Sequence, residues 1–256
     1  MSSVLRNFVI SFVVVVLSGS MGAGSWLQPS ACLAADSAPV FVRLTTEAGE
    51  MLGVFYPELA PHHVASFIHL SQSGFYKGTR FHRIVPGFVI QGGDPNSKDM
   101  DPRNDGTGGP KLSDVLNEED ARLLDQVNEM LAGKGYVGLN GEALLKAELS
   151  KTVKHYRGTL SMARGRDLDT AGSQFFVCVA DAPALDGKYT IFGHVFKGMD
   201  VADIIVSGEK NPAAGRDAPA IPVSILNAEI IEGADNLTPD EKTLWEELPA
   251  QFRSAK

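Results

Sequence analysis

The sequence predicts a mainly β fold, and three strand patterns support that prediction. Apolar and polar residues alternate from Val40 to Thr45, and the run from Met51 to Phe55 follows as a hairpin partner. A second alternating run covers Phe81 to Asp94 and bends at Pro86-Gly87. A third run, Ile221 to Ile231, is typical of a closing strand. Composition and spacing alone therefore indicate a strand-rich domain with a polar site on an apolar surface.

Two segments between these strands have the spacing of helices. Pro61 suits the first turn of a helix whose apolar face ends near Gly74, and Met199 to Val206 predicts a second helix. A metal site on the first helix would need further donors elsewhere, which the sequence does not offer. We therefore expect no metal ligands and expect its histidines, His62, His63 and His69, to face solvent.

Length and charge limit the function classes. The chain has 256 residues and 44% hydrophobic content, enough for one main domain. Its formal net charge of -8 argues against binding to phosphate backbones, which needs clustered lysine and arginine. We therefore expect no nucleic-acid partner.

The N-terminal segment, residues 1–35, has the layout of a secretory signal peptide. Arg6 precedes an apolar run from Phe8 to Leu17, and small residues follow up to Ala34-Ala35, where we expect cleavage. The predicted destination is the secretory pathway, at a periplasmic or other extracytoplasmic site. Two alternatives remain: an uncleaved N-terminal membrane anchor, and a lipid attached to Cys32.

Cleavage after Cys32 would leave Cys178 as the one cysteine of the mature chain. No disulfide could then form within the chain. Cys178 lies in an apolar run, so we expect a small buried hydrophobe and not a nucleophile.

The run Phe81 to Asp94 contains an arginine within an apolar strand pattern. If a Pro-Gly bend joins two short strands, alternation puts Arg83, Val85, Val89 and Gln91 on one side. One cation and one amide then share a wall with apolar groups. Such a wall could bind a peptide.

Two more runs follow, Gly158 to Arg164 leading into Ala171 to Cys178, and Leu185 to Gly193. Together, and in this order, the three runs resemble the cyclophilin family of peptidyl-prolyl cis-trans isomerases. The resemblance covers roughly residues 39–233. It implies a closed eight-stranded antiparallel β-barrel capped by two helices, with a substrate groove outside the barrel.

The resemblance also implies the site residues and their roles. Arg83 would donate to the prolyl nitrogen and carbonyl side, and Gln91 would hold the substrate backbone and position Arg83. The substrate-binding residues would form a proline site and a site for the residues before proline. The first comprises Phe88, Val89, Phe176, Leu185 and Tyr189; the second comprises Ala163, Arg164, acting largely through its backbone, and Gln174. No cofactor is implied.

Three positions depart from the commonest family pattern. Tyr189 stands where many members have histidine, and Val89 where methionine is usual. Ala184 replaces a large aromatic residue, so we expect cyclosporin to bind weakly. Tyrosine still supplies an apolar ring with a polar tip, so catalysis should survive.

Two regions lie outside the resemblance. Residues of about 113–152 form an insertion with leucines at helical spacing around Leu124 and again from Ala143 to Leu149, which predicts two inserted helices. In the C-terminal segment, 234–256, a capping box begins at Thr238 and predicts a short helix that packs on the barrel, with a disordered tail as the alternative.

The predicted function is isomerisation of X-Pro bonds in exported proteins that are unfolded or folding, with proline-containing peptides as substrates. The alternative is a proline-peptide-binding module or holdase chaperone with little catalysis. A hydrolase is a third class, but Ser161 and Ser173 lack a motif that places histidine and a carboxylate beside them.

Overall fold

The computed structural model describes residues 38–99, 101–115, 122, 143–215 and 217–254. The strands are β1 Val40–Thr46, β2 Gly49–Phe55, β3 Arg83–Val85, β4 Val89–Gly92, β5 Thr159–Met162, β6 Phe175–Cys178, β7 Ile191–Lys197 and β8 Ile225–Glu232. The α-helices are α1 Pro61–Gln72, α2 Leu112–Val115, α3 Met199–Val206, α4 Pro239–Glu247 and α5 Ala250–Arg253.

The eight strands form one antiparallel sheet in the order β3-β4-β6-β5-β7-β2-β1-β8, curled into a half-barrel. The prediction of a closed barrel was wrong, because no ladder joins β3 to β8 in the described chain. β3 has only three residues, and Ile84 N donates to Asp217 O at 2.9 Å. The chain just before β3 does reach the β8 edge, because Phe81 N donates to Val223 O and Ile225 N donates to Thr79 O. These hydrogen bonds do not continue along β3.

The two predicted helices, α1 and α3, are confirmed, and both pack on the core formed by the sheet. Phe67 of α1 is buried, and its ring centre lies 4.6 Å from that of Tyr76 and 5.3 Å from that of Phe175 on β6. Ala202 and Ile205 of α3 belong to the same core. This core supports the strands that carry Arg83 and Gln91.

The prediction for the α1 histidines was wrong at His63, which is fully buried. The side chain of Glu148, far along the chain, packs against the N-terminus of α1. Its carboxylate oxygens lie 2.6 and 2.7 Å from the Nδ1 atoms of His62 and His63. Its carboxylate also accepts hydrogen bonds from both backbone N–H groups. A distant carboxylate therefore caps a helix whose N-cap residue, Ala60, has no capping side chain.

The C-terminal helix is confirmed as α4, with the predicted capping box between Thr238 and Glu241. Trp245 packs edge-on against Phe41 with ring centres 5.0 Å apart. Glu241 forms ion pairs with Arg43 and Lys197, each at 2.9 Å. The C-terminal segment is therefore docked on the outer face of the sheet through an aromatic contact and a buried carboxylate.

The insertion is only partly described. The predicted second inserted helix was wrong over Ala143 to Ser150, where the chain forms no helix and Leu145 forms a bridge with Ala171. Its amide hydrogen bonds go to other segments, including Pro110 O and Ala171 O, so they cannot form a helix. The first inserted helix and the signal segment lie outside the described residues. No helix within the described ranges combines the length and apolar character needed to cross a bilayer.

Candidate active site

The hairpin of β3 and β4 places Arg83 directly opposite Gln91 and Val85 opposite Val89. Ile84 and Ile90 point the other way, into the core. The predicted wall of one cation, one amide and two apolar residues is confirmed as a feature of the structure. Arg83 keeps 39% of its side chain exposed, so its guanidinium is open to a bound molecule.

A chain of three hydrogen bonds orients the polar groups of this wall. Arg83 Nη1 donates to Gln91 Oε1 at 3.3 Å, and Gln91 Nε2 donates to Gln174 Oε1 at 3.0 Å. Gln174 Nε2 then donates to the carbonyl of Gly108 at 2.7 Å. The side-chain oxygen of Gln91 accepts from Arg83, and that of Gln174 accepts from Gln91. The orientation of Arg83 is therefore set by a chain of contacts that ends at the Gly108 carbonyl.

Asp217 holds the other edge of the guanidinium and was not found from the sequence. Its Oδ2 lies 3.5 Å from Arg83 Nη2, and its Oδ1 lies 3.0 Å from Lys210 Nζ. The residue lies in a loop 134 positions from Arg83, and no motif marks it. The carboxylate is therefore an ion-pair partner of Arg83, whose side chain remains partly exposed.

A glycine-rich loop, Gly106 to Gly109, lies beside the wall. It is held by Asp94, a fully buried carboxylate. Asp94 accepts hydrogen bonds from the backbone N–H groups of Asn96 at 2.8 Å, Gly108 at 3.3 Å and Gly106. A Cβ on Gly108 would lie 2.3 Å from Asp94 Oδ1, so glycine is required there. The sequence motif included Asp94, but its anchoring role could not be predicted from the spacing.

A cluster of apolar side chains, which we call the apolar pocket, lies next to the wall and unites six of the predicted substrate-binding residues. Val89, Ala163 and Phe176 are buried in it with Cys178 and Ala182, and Phe88, Leu185 and Tyr189 pack against them. The rings of Phe176 and Tyr189 meet edge-on with centres 5.7 Å apart. Cys178 is the buried hydrophobe that we expected, and burial raises the pKa of its thiol to about 12.

His155 packs against the apolar pocket through Phe176, a role that was not predicted from the sequence. Its buried ring stacks on Phe176 at 6.2 Å between centres. Nδ1 lies 3.1 Å from Asp186 Oδ1, and Nε2 lies 3.1 Å from the hydroxyl of Ser161. Burial lowers the pKa of His155, and Asp186 only partly offsets this effect.

The side chain of Arg164 lies over the ring of Tyr189, at the edge of the apolar pocket. Its guanidinium carbon lies 4.7 Å from the centre of the Tyr189 ring, a cation–π distance. Nε donates to Lys188 O at 3.1 Å, and Nη1 donates to Gly165 O at 3.0 Å. The resemblance implied a role mainly for the Arg164 backbone, and the structure adds a side chain that orders Tyr189.

A groove adjoins both the wall, through Gln91, and the apolar pocket, through Ala163. It runs between the glycine-rich loop on one side and the chain from Ala163 to Gln174 on the other. Gln91 lies at its start, and Leu144 of the insertion forms part of its lining. An extended peptide could therefore place one residue in the apolar pocket and others along this groove.

The half-barrel, the oriented cation and the adjoining ring-lined pocket define a class of peptide-binding β protein suited to rotation about a prolyl bond. The family model described as "Cyclophilin type peptidyl-prolyl cis-trans isomerase/CLD" matches residues 41–230. The chain belongs to this family and is a peptidyl-prolyl cis-trans isomerase.

Individual relatives agree with the family match. The chain is 36% identical over 197 residues to peptidyl-prolyl cis-trans isomerase A of Dickeya dadantii, covering 75% of this chain and 84% of that protein. It is 35% identical over 174 residues to an isomerase of Helicobacter pylori, covering 66% and 82%.

The structure is also similar to that of a cyclophilin type isomerase from Cryptosporidium parvum. The TM-score is 0.58 at 26% identity, and the match covers 76% of this chain and 99% of that one. A second structure of the same protein was determined in the presence of the dipeptide Ala-Pro, and it matches with the same score and identity.

Proposed function

We propose that the chain rotates X-Pro bonds of exported proteins during folding, with Arg83 as the catalytic donor and the apolar pocket as the proline site. The observation that carries this proposal is the register of Arg83 with Gln91 beside the Phe176 pocket. A ring bound between Phe176, Leu185 and Tyr189 would bring its amide nitrogen to the neighbouring guanidinium.

The mechanism follows from the electronics of the amide. Rotation loses amide resonance, at a barrier of ~18–20 kcal/mol, and returns the lone pair to nitrogen. A donor aimed at that nitrogen binds more strongly as rotation proceeds, and this differential binding lowers the barrier. Gln91, fixed by Gln174, keeps Arg83 oriented and offers its amide to the substrate backbone.

Only X-Pro bonds populate both isomers enough to serve as substrates, because their trans preference is just ~0.5–1 kcal/mol. Uncatalysed exchange takes ~10–100 s, which is slow enough to limit folding. Proline-containing segments of unfolded or folding proteins are therefore the proposed substrates.

NMR exchange spectroscopy on an Ala-Pro peptide tests the activity directly. Exchange that accelerates in proportion to enzyme concentration supports the proposal. Binding of the peptide with exchange at the buffer rate would instead identify a proline-binding holdase.

The proposed site of action is extracytoplasmic, on the basis of the signal-like layout of residues 1–35. Fusing residues 1–38 to a reporter that is active only after export tests this proposal. Reporter activity with a shortened product supports a cleaved signal, activity with a full-length membrane-bound product supports an anchor, and no activity contradicts export.

Weak cyclosporin binding belongs to the same proposal. Ala184 is exposed beside the pocket and offers neither the area nor the N–H donor of an indole. Replacing Ala184 with tryptophan should strengthen cyclosporin binding, as measured by titration calorimetry, and an unchanged affinity would contradict the assignment.

A further inference from the structure

The end of the insertion, residues 143–150, forms part of the groove. We call these residues the return segment. Its backbone is held on both sides of Leu144, because Ala143 N donates to Pro110 O at 2.7 Å and Leu145 N donates to Ala171 O at 2.8 Å.

Further along, the return segment is anchored to three other parts of the fold. Ala147 N donates to Asp169 Oδ1 at 2.9 Å, and Glu148 N donates to Thr190 Oγ1 at 3.0 Å. Glu148 also caps α1, and the hydrogen bonds from His62 and His63 outweigh burial and lower its pKa to about 2. These hydrogen bonds fix the position of the return segment.

The return segment also packs closely against the chain that leads into β6. A Cβ on Gly172 would lie 2.8 Å from Pro110 and 3.8 Å from the carbonyl of Ala143. Glycine at 172 therefore lets Pro110 approach the chain that leads into β6, and Ala143 of the return segment lies within ordinary van der Waals distance of the same position. The return segment and Gln174 consequently line the same groove.

Leu145 forms a β-bridge with Ala171, and successive side chains of a β-strand point to opposite sides. Leu145 is half-buried and packs against the core, so its neighbour Leu144 faces away from the core and lines the groove. Leu144 remains 41% exposed, and the same groove is lined by the small residues Gly165, Thr170 and Gly172. The groove therefore presents an exposed aliphatic side chain to a bound peptide.

Charge in this part of the groove is already compensated. Among the described residues of the lining, Arg164 is the one with a charged side chain, and its guanidinium is bound to Lys188 O, Gly165 O and Arg166 O. A charged substrate group would find no free partner among the lining residues. An aliphatic side chain would gain contact with Leu144 at no such cost.

We infer that Leu144 is a specificity-determining residue that favours substrates with an aliphatic side chain two or three residues before the proline. The position follows from continuity, because Ala163 belongs both to the apolar pocket and to the groove that Leu144 lines. One extended residue spans at most ~3.3–3.6 Å, so a side chain beyond the residue next to proline is needed to reach further along the groove. This inference rests on the proposed use of the apolar pocket for proline.

The test compares NMR exchange rates on the peptide Ala-Ala-Ala-Pro-Phe with those on versions carrying Leu or Glu at the second or third position before proline. The wild-type chain should favour Leu over Ala at one of these positions by roughly 4-fold for each methylene that leaves water. Leu144→Ala should lose this preference. Leu144→Lys should favour Glu over Leu.

Leu149→Ala is the matched control, because Leu149 is 40% exposed in the same segment and does not line the groove. It should keep the wild-type preference. A wild-type enzyme without any preference, or Leu144 variants that retain it, would overturn the inference. Absence of exchange on every peptide would instead refute the proposed function; affinities of the same peptides, from NMR titration, then decide whether Leu144 selects them.

Discussion

Phe176 is the residue on which the apolar pocket depends most. It lies 4% exposed between His155 and Tyr189 and contacts both rings. Phe176→Ala should lower stability by ~3–5 kcal/mol and weaken peptide binding, because it leaves a cavity where the proline ring is proposed to sit. Urea unfolding and peptide titration measure the two effects, and unchanged values for both would remove Phe176 from pocket and core alike.

His194 makes stability depend on pH. Burial lowers its pKa to about 4, so the unfolded chain takes up a proton below its ordinary pKa of 6.5 while the folded chain does not. Stability should therefore fall as pH drops from 6.5 toward 4, by about 2–3 kcal/mol between pH 7 and pH 4.5. Burial lowers the pKa values of His82 and His155 too, and these shifts act in the same direction.

The carboxylates of Glu148 and Glu241 affect stability at lower pH than the histidines do, so the two contributions can be measured separately. Hydrogen bonds outweigh burial at Glu148 and Glu241 and lower their pKa values to about 2, so their contribution is lost only below about pH 4.5. Urea unfolding at pH 7 and pH 4.5 should show a smaller difference for His194→Gln than for the wild-type chain. Equal differences would show that another group governs this pH range.

At the level of elements, the N-terminus of α1 depends on a side chain from the return segment. Glu148→Ala should cost about 1–2 kcal/mol of unfolding free energy, the range for the loss of a helix cap. Lys146→Ala is the control, since Lys146 is exposed in the same segment. Chemical denaturation measures both, and equal stabilities of the two variants would contradict the capping role.

The elements show which interactions a sequence can reveal. The β3–β4 hairpin and α1 were predictable because their patterns are local, and the register of Arg83 with Gln91 follows from alternation across one short bend. Glu148 could not be placed, because its partners lie 85 and 86 residues away. Leucine spacing alone predicted a helix at Ala143 to Leu149, whereas backbone hydrogen bonds to Pro110 and Ala171 hold that segment in a path that is not helical.

The same distinction applies to the site. The motifs predicted Arg83, Gln91, Gln174 and the pocket rings, and the structure places these residues side by side. Their supports, Asp217 and His155, were missed because each acts through a contact between loops that no spacing encodes. Long-range supports therefore need the fold, while the groups proposed to contact substrate can be found in the sequence.

At the scale of the whole molecule, the C-terminal segment joins the outer face of the sheet. Trp245 contacts Phe41 and Phe196, and Phe252 stacks on His194 with ring centres 4.3 Å apart. Trp245→Ala should lower stability by about 2–3 kcal/mol, less than a fully buried ring because Trp245 is only partly buried.

Leu244→Ala provides the comparison, because Leu244 is 41% exposed on the same helix. Its effect on the melting temperature should be small. If the Trp245 and Leu244 variants melt together with the wild-type chain, α4 contributes nothing to the stability of the fold.

The central claim is that Arg83 lowers the rotation barrier instead of merely binding peptide. NMR exchange and titration on one Ala-Pro peptide, with Arg83→Ala compared to the wild-type chain and to Arg103→Ala on an exposed loop, test this claim most directly. We expect Arg83→Ala to lower kcat/KM by ~10²–10³ while the peptide Kd changes only a few-fold, and Arg103→Ala to behave as wild type. Retained turnover in Arg83→Ala, or a loss explained entirely by weaker binding, would contradict the account.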